Sequence, residues 1–364
     1  MWLLLTKNSV TEVSIYRRLV EHLDRLPGGF TPSETGADIR LLRGLFTREE
    51  AELALHLTLD KETAEIIGNR ANIPTEIAEK RLEKMAEKGL IFSYQPRQGT
   101  ILYQAAPWVI GIYEFQVNRL NSEFLKNFDE YYSSRIKRTR PETIPQLRTI
   151  PINQSIDSKL DVLPYEQVEE LVRAHDQFAV APCICRRHAK MNGGGCDALE
   201  ESCLIFGEFA EFYVRTGRAR SIEQSEVWTI LEKANEDNLV LNPTNSKLVS
   251  AICCCCGDCC GILNGLKHHP KPSEAVQSSF IASFNQDACV NCGICLERCQ
   301  MNALSAGNGS VLLDSNRCIG CGLCASTCPT NALTLKRKPK DSIKEIPATM
   351  NETWYTIVKK QTNT

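Results

Sequence analysis

Cysteine is missing from the first half of the chain: none of the eighteen occurs before Cys183, although the chain has 364 residues. Thiol chemistry is therefore confined to the second half, and the two halves do different jobs. Long hydrophobic runs are missing too. The opening stretch MWLLLTKNSV is too short for the apolar core of a signal peptide, and no segment approaches the length of a membrane span. These absences predict a cytoplasmic chain whose thiols stay reduced and available to metal. Neither sign of charge is in surplus, with 44 acidic residues against 42 basic ones, so net charge gives no reason to expect nucleic acid or an anionic membrane as a partner. Also absent are a G-x-G-x-x-G after a strand, a G-x-x-x-x-G-K-S/T and a G-x-S-x-G. Binding of flavin, nicotinamide or ATP, and a serine nucleophile elbow, are thereby left without support.

What is present is a repeat. DACVNCGICLERCQMNAL carries Cys289, Cys292, Cys295 and Cys299, and NRCIGCGLCASTCPTNAL carries Cys318, Cys321, Cys324 and Cys328, each cysteine 29 residues after its counterpart. Two residues between sulfurs let a tight loop wrap a metal cluster while backbone N–H groups point at the sulfurs. Gly293 and Gly322 hold equivalent places inside the loops, where a missing Cβ permits positive φ and close approach of the main chain to a cofactor. The doubled C-x-x-C-x-x-C-x-x-x-C spacing resembles that of the bacterial two-cluster ferredoxins over residues 279–336. That resemblance implies a βαββαβ-like domain holding two [4Fe-4S] cubanes with crossed ligands. Cys289, Cys292, Cys295 and Cys328 would then serve one cluster, and Cys318, Cys321, Cys324 and Cys299 the other. The family usually has proline after the fourth cysteine. Pro329 obeys, whereas Gln300 departs and adds an N–H donor beside the second cluster. A zinc site or a disulfide framework fits the doubled pattern less well.

A chain of this length can bury two or three cores, and the fold expected is multidomain α+β. Residues 1–135 form a helical, winged-helix-like domain, 136–162 a linker, 163–275 a cysteine-rich α/β domain, 279–336 the ferredoxin-like domain and 337–364 a charged tail. Residues 10–26 have helical periodicity and end at Pro27, Gly28 and Gly29, and apolar positions recur at helical spacing over 45–59. KETAEIIGNRANIPTEIAEKRLEKMAEKGLI reads as a short helix, a turn at 71–73, and a second helix from Pro74 that Gly89 stops. Residues 91–94 and 100–103 predict two short strands around a polar turn. Over residues 45–104 this order resembles a winged helix-turn-helix, which implies a second helix able to enter the DNA major groove. That helix, however, alternates Glu76, Glu79, Glu83 and Glu87 with Lys80, Arg81, Lys84 and Lys88. A DNA reader carries a basic surplus, whereas this mixture suits a solvated face with ion pairs one turn apart. A protein-docking or dimerisation module is the stronger expectation. The aromatic-rich residues 107–120 are either its apolar partner surface or plain core. Residues 147–152 read as a short extended piece within the linker.

The cysteine-rich segment opens with a helix over 165–175. QFAVAPCICRRHAK then reads as an apolar strand running into Cys183 and Cys185, and in a strand this spacing turns both sulfurs to one face. Cys196 follows the run Gly193, Gly194 and Gly195, and Cys203 is read as opening a helix. Arg186, Arg187, His188 and Lys190 offer cationic donors to a negatively charged cluster or ligand. After a helix over 222–236, LVSAICCCCGDCCGIL packs six cysteines into eight residues. Free cysteine can pack as a small hydrophobe, but crowding of this degree points to a soft metal. Neighbours such as Cys253 and Cys254 face apart, so the run cannot give every sulfur to one centre. Cys253, Cys255, Cys256, Cys259 and Cys260 are the candidate ligands, shared with Cys183, Cys185, Cys196 or Cys203, for one or two further iron-sulfur clusters. The alternatives are reduced thiols without a metal, or vicinal-thiol redox chemistry tuned by His268 and His269.

The function expected is single-electron transfer by a multi-cluster iron-sulfur protein, between a redox partner protein and an oxidoreductase. The chain would be a carrier or an oxidoreductase subunit rather than a free-standing enzyme. An anaerobic host is expected, since oxygen attacks both clusters and thiols. The alternative is a redox-sensing winged-helix regulator that binds DNA. A second copy of the chain is a further candidate partner, and the charged KRKPKDSIKE segment reads as a solvated linker.

Overall fold

The computed structural model describes residues 14–96, 98–136, 144–156, 161–307 and 310–362. The opening MWLLLTKNSV and linker residues 137–143 and 157–160 lie outside the described residues. Contacts gather the described chain into two units. One takes residues up to 136 with 215–218 and 354–362. The other takes residues 144–353 apart from 215–218. Among the described residues no helix is long and apolar enough to cross a membrane.

The first unit begins with helices α1 (residues 14–24), α2 (Ala37–Leu45) and α3 (Arg48–Ala54). Thr47 starts α3 through a capping box in which its side chain accepts from Glu50 N and Glu50 reaches back to the Thr47 N–H. Strand β1 (Glu62–Thr63) leads into α4 (Ala64–Ala71), and Asn72, in the left-handed region, ends that helix one residue into the expected turn. Helix α5 (Thr75–Lys88) buries Ala78, Leu82, Met85 and Ala86 at helical spacing and stops at Gly89. Strands β2 (Ile91–Tyr94) and β3 (Leu102–Ala105) form the hairpin, the second starting two residues later than its pattern suggested. With β1 they make an antiparallel sheet in the order β1-β3-β2. Helix α6 (Ser122–Ile136) closes the segment.

Most of residues 107–117 is core, while Asn118 and Arg119 are exposed. Trp108 is buried against Phe30 with ring centroids 4.5 Å apart, and Phe115 meets Phe92 edge-on at 5.0 Å. The buried Arg218 donates to the carbonyls of Phe115 (2.9 Å) and Glu87 (2.6 Å), so a cation satisfies the C-terminal end of α5. Residues 354–362, read from sequence as charged tail, end a helix whose Trp354 lies 5.7 Å from Phe92.

The second unit carries α7 (Val168–Arg173), β4 (Phe178–Pro182), α8 (Ile184–Met191), β5 (Glu201–Phe206), α9 (Gly207–Arg215), β6 (Arg220–Ile222), α10 (Gln224–Glu236), β7 (Val240–Pro243), β8 (Ala251–Cys255), α11 (Gly261–His268) and α12 (Pro272–Ala275). Its five strands order as β6-β4-β5-β8-β7, and every pair is antiparallel, so the middle segment is α+β rather than a parallel α/β layer. Residues 147–152 extend beside β7, with Arg148 N bonded to Pro243 O and Ile150 N to Leu241 O, so this part of the expected linker belongs to the core. The C-terminal repeat follows as β9 (Phe280–Phe284), α13 (Ile294–Arg298), β10 (Leu304–Gly307), β11 (Ser310–Leu313) and β12 (Leu333–Arg337), with α14 (Met350–Thr362) beyond. Strands β9 and β12 pair, as do β10 and β11. The second helix of the βαββαβ pattern is reduced to a turn, held by Ala325 N and Ser326 N on Gly322 O.

Candidate metal centres

The two cysteine loops share one backbone. Positive φ recurs at equivalent positions 29 residues apart: Asn291 (56°) and Gly320 (72°), Gly293 (80°) and Gly322 (78°), Asn302 (52°) and Asn331 (54°). The two expected glycines differ in surroundings. A Cβ on Gly293 would meet open space, whereas one on Gly322 would collide with Ser155. The close approach at Gly322 is thus to protein, and only the left-handed φ is common to both.

Around these loops lie two hollows. The first, about 350 Å³ including space open to solvent, is lined by Cys289, Cys292, Cys295 and Cys328. The second, about 390 Å³, is lined by Cys299, Cys318, Cys321 and Cys324. Each thus has three cysteines from one copy and the fourth from the other. The first faces outward: Cys292 is exposed, and the lining residues Val290 and Ile294 are 61% and 43% exposed. The second is walled by the buried Met301, Ala303, Ile319 and Leu323. Backbone N–H groups reach sulfur in both, from Leu333 to Cys328 (3.4 Å), Ala303 to Cys299 (3.2 Å) and Ala282 to Cys318 (3.3 Å).

Burial pushes the Cys321 thiol up to about 12, and raises Cys318 and Cys324 as well. Cys328 is held below its ordinary value. Burial works against its ionisation, but N–H donors of Leu333, Thr330 and Ala332 and the Thr330 hydroxyl prevail. Four thiols in an otherwise apolar hollow form a soft donor set that suits an iron-sulfur cluster.

Residues 282–335 match the family model of the 4Fe-4S dicluster domain. The chain therefore carries an iron-sulfur, ferredoxin-like domain near its C-terminus, and with its many cysteines this supports iron-sulfur electron transfer. No curated protein and no solved structure matches the chain.

Upstream of the dicluster domain, the structure corrects two readings. Strand β4 ends at Pro182, so Cys183 caps the N-terminus of α8 and Cys185 sits in that helix's first turn. Helix-forming residues beyond Ile184 take over there. Cys203 lies inside β5, where Leu204, Ile205 and Phe206 are all buried, and the helix begins only at Gly207.

The sheet and these two helix starts gather the thiols. Cys203 and Cys253 are directly opposed across β5 and β8, and Cys255 shares their face two residues on. Cys185 neighbours Cys183 and Cys260, Cys260 neighbours Cys255, Cys255 neighbours Cys253, and Cys253 neighbours Cys203. Six sulfurs thus form a row. Cys254 turns the other way into the apolar core, where burial pushes its thiol up to about 12. A separate trio stands beside the row: Cys196 Sγ is 3.5 Å from Cys256 Sγ and 3.7 Å from Cys259 Sγ. Cys259 N also donates to Cys256 Sγ at 3.4 Å.

The basic cluster divides. Arg186 is fully buried, donating to Leu199 O (2.8 Å), Ser202 Oγ (2.5 Å) and Cys254 O (2.9 Å), and it lies beside Cys183, Cys196 and Cys256. Arg187 and Lys190 instead pair with Glu200 at 2.7 and 3.6 Å. His268 and His269 are engaged in local bonds, the first with Asn264 O and the second with Lys271 N.

Sequence reasoning missed the side chain of Gln300. Its Oε1 accepts from Gly257 N at 2.5 Å, inside the CCCCGDCC loop, and a Cβ on Gly257 would come within 2.6 Å of Gln300 O. The residue that replaces the family's proline therefore latches the dicluster domain to the cysteine-rich loop. Arg298 adds a second tie, to Asn235 O (3.1 Å), Asn235 Oδ1 (2.6 Å) and Leu323 O (3.0 Å). Cys299 and Cys321 pack on the same apolar cluster as Cys254, Cys256 and Cys260. The missing proline after Cys299 was the one sequence signal of this contact.

Proposed function

We propose that the chain is a multi-cluster iron-sulfur electron carrier or oxidoreductase subunit. The observation that carries this reading is the pair of hollows, each lined by three cysteines of one copy and the fourth of the other. The first set would hold one [4Fe-4S] cubane and the second set another, and such clusters supply one-electron couples when bound. The chain's own part is to exclude water from the second hollow and to aim N–H groups at the sulfurs, which tunes potential. The sulfur row Cys183, Cys185, Cys260, Cys255, Cys253 and Cys203 is the seat of a further iron-sulfur cluster. The latch at Gln300 and the shared apolar cluster around Cys299 and Cys321 support exchange of single electrons between the two regions.

The exposed Val290 and Ile294 beside the first hollow support docking of a redox partner protein there. The first unit serves as a further protein-docking module of winged-helix type. Its exposed Ile66 and Ile77 and the mixed charges on α5 support a protein surface over phosphate. Iron and acid-labile sulfide determination with EPR on anaerobically purified protein tests the reading. About eight irons per chain are expected from the dicluster domain, with more from the upstream cysteines. Zinc in their place, or fewer irons than that, overturns it.

A further inference from the structure

We propose that Cys196, Cys256 and Cys259 hold a single tetrahedral metal ion with an open fourth position, a centre separate from the iron-sulfur clusters. The argument starts from spacing. Thiolates at about 2.3 Å from one tetrahedral ion stand about 3.8 Å from each other. The trio's separations of 3.5 and 3.7 Å match a shared ion, and all three sulfurs lie within 4.8 Å of one another. Ligands to separate irons of a cubane stand further apart, and no three of the cysteines around either hollow converge within that distance. Among the described residues no other three Cys, His, Asp or Glu ligand atoms converge so closely, and no fourth joins this group.

The sequence supports the same assignment. Cys256-Gly257-Asp258-Cys259 is a C-x-x-C, the spacing with which zinc loops bind. The Cys259 N–H on Cys256 Sγ is the outer hydrogen bond that orients such a ligand. Gly193 and Gly195, at φ of 77° and 97°, turn the chain that brings Cys196 to the pair. Cys196 and Cys259 are partly exposed, which gives ion and ligand an entry path.

Charge completes the case. Three thiolates around a divalent ion carry one net negative charge, and burying it requires a partner. Arg186 supplies one: it is fully buried beside Cys196 and Cys256, and its Nε has no hydrogen-bond partner among the described residues. The assembly of ion, three thiolates and guanidinium is neutral, so the open position suits a neutral water, which a small thiol displaces by binding as its thiolate and releasing its proton to solvent. Thiolate donors select zinc, iron(II) or copper(I), and cobalt(II) is the spectroscopic probe for a zinc-type site.

The test uses the full-length protein with its iron-sulfur clusters in place, titrated anaerobically with cobalt(II) chloride. One cobalt per chain is expected, with tetrahedral ligand-field bands and thiolate charge-transfer absorption. Zinc(II) should displace it one for one, and 2-mercaptoethanol should shift the bands by entering the fourth position. Cys196→Ser removes the charge-transfer band without loss of the dicluster irons, and Cys259→Ser, at a half-exposed position, gives the same result should the first variant fail to fold. Arg186→Gln weakens cobalt binding roughly 10- to 100-fold, and Arg186→Lys, which keeps the charge, recovers part of the loss. A chain that takes up no cobalt overturns the proposal, as does loss of about four irons in Cys196→Ser, which would make the trio part of a cubane. Bands that 2-mercaptoethanol leaves unmoved overturn the open position. Absence of dicluster iron would instead sink the electron-transfer reading, and cobalt uptake is scored independently of it.

Discussion

The eight cysteines of the dicluster domain stand around two hollows, whereas nine of the ten upstream lie sulfur beside sulfur. Both regions concentrate thiols, but by different means. In the first, loops of a few residues fix ligand positions, and the geometry is written in the spacing. In the second, Cys185 and Cys260 meet only because β4, β5 and β8 are neighbours and two helices begin beside them. Local loops leave room for a multi-iron group. Long-range packing gathers sulfurs into a row and a trio.

The strongest way to break this comparison is to remove one thiol from each region. Cys324→Ser should cost the second hollow its cluster, a loss of about four irons. It should also destabilise the second unit by several kcal/mol, because metal binding is coupled to folding; iron analysis and thermal unfolding read the two effects. Cys254→Ala, one residue from two proposed ligands but facing the core, should leave metal content untouched and cost only about 1–2 kcal/mol. Equal iron loss from both variants would mean that strand alternation does not divide β8 into ligand and core faces.

The cysteine-free unit supplies a control without thiols. Burial, helped by Arg25 and His56, lowers the His22 pKa from 6.5 to about 4. The folded state therefore binds fewer protons than the unfolded state between those values. Stability from this group is present above pH 6.5 and is lost as pH falls toward 4, by up to about 3 kcal/mol. Acid unfolding followed by the fluorescence of the buried Trp108 should show this slope, and His22→Leu should flatten it. An unchanged slope would show that His22 does not titrate on unfolding.

Smaller effects sharpen the contrast between the two copies of the loop. Gly322→Ala should cost about 2–3 kcal/mol, combining a left-handed φ with a collision at Ser155. Gly293→Ala should cost about 1–2 kcal/mol from φ alone. Chemical denaturation separates them, and equal costs would remove Ser155 from the account. Gln300→Ala leaves Gly257 N–H without its partner, for about 1 kcal/mol, and should slow electron exchange between the two regions. An unaltered rate in stopped-flow reduction would show that the latch has no part in it.

The same contrast explains what the sequence made legible. The doubling of the cysteine loops could be read because a period of 29 residues repeats both sulfur spacing and turn residues, down to Asn302 and Asn331, while the crossed sets were what the resemblance to two-cluster ferredoxins implied. Helices α4 and α5 and the hairpin were readable because their apolar periodicity and stop signals are local. Cys183, Cys185 and Cys203 were misplaced at the strand–helix boundaries, where Pro182 and Gly207 punctuate the chain but the apolar runs continue through them. The separation of row from trio was illegible for a different reason. It depends on register between β5 and β8 and on a buried guanidinium, neither of which has a sequence period. Gln300 was noticed as an exception, but its side-chain partner lies 43 residues away.

The tie between Gln300 and Gly257 has a consequence for how the chain can be divided. Met301, Ile319 and Leu323 of the dicluster domain are at most 2% exposed, and they pack in one apolar cluster with upstream cysteines. A break near residue 275 would bare that surface on both fragments and strand Arg298 without Asn235. The iron-sulfur repeat is consequently no transferable cassette: it should neither survive excision nor accept a generic ferredoxin in its place, and the two stretches can change only in step.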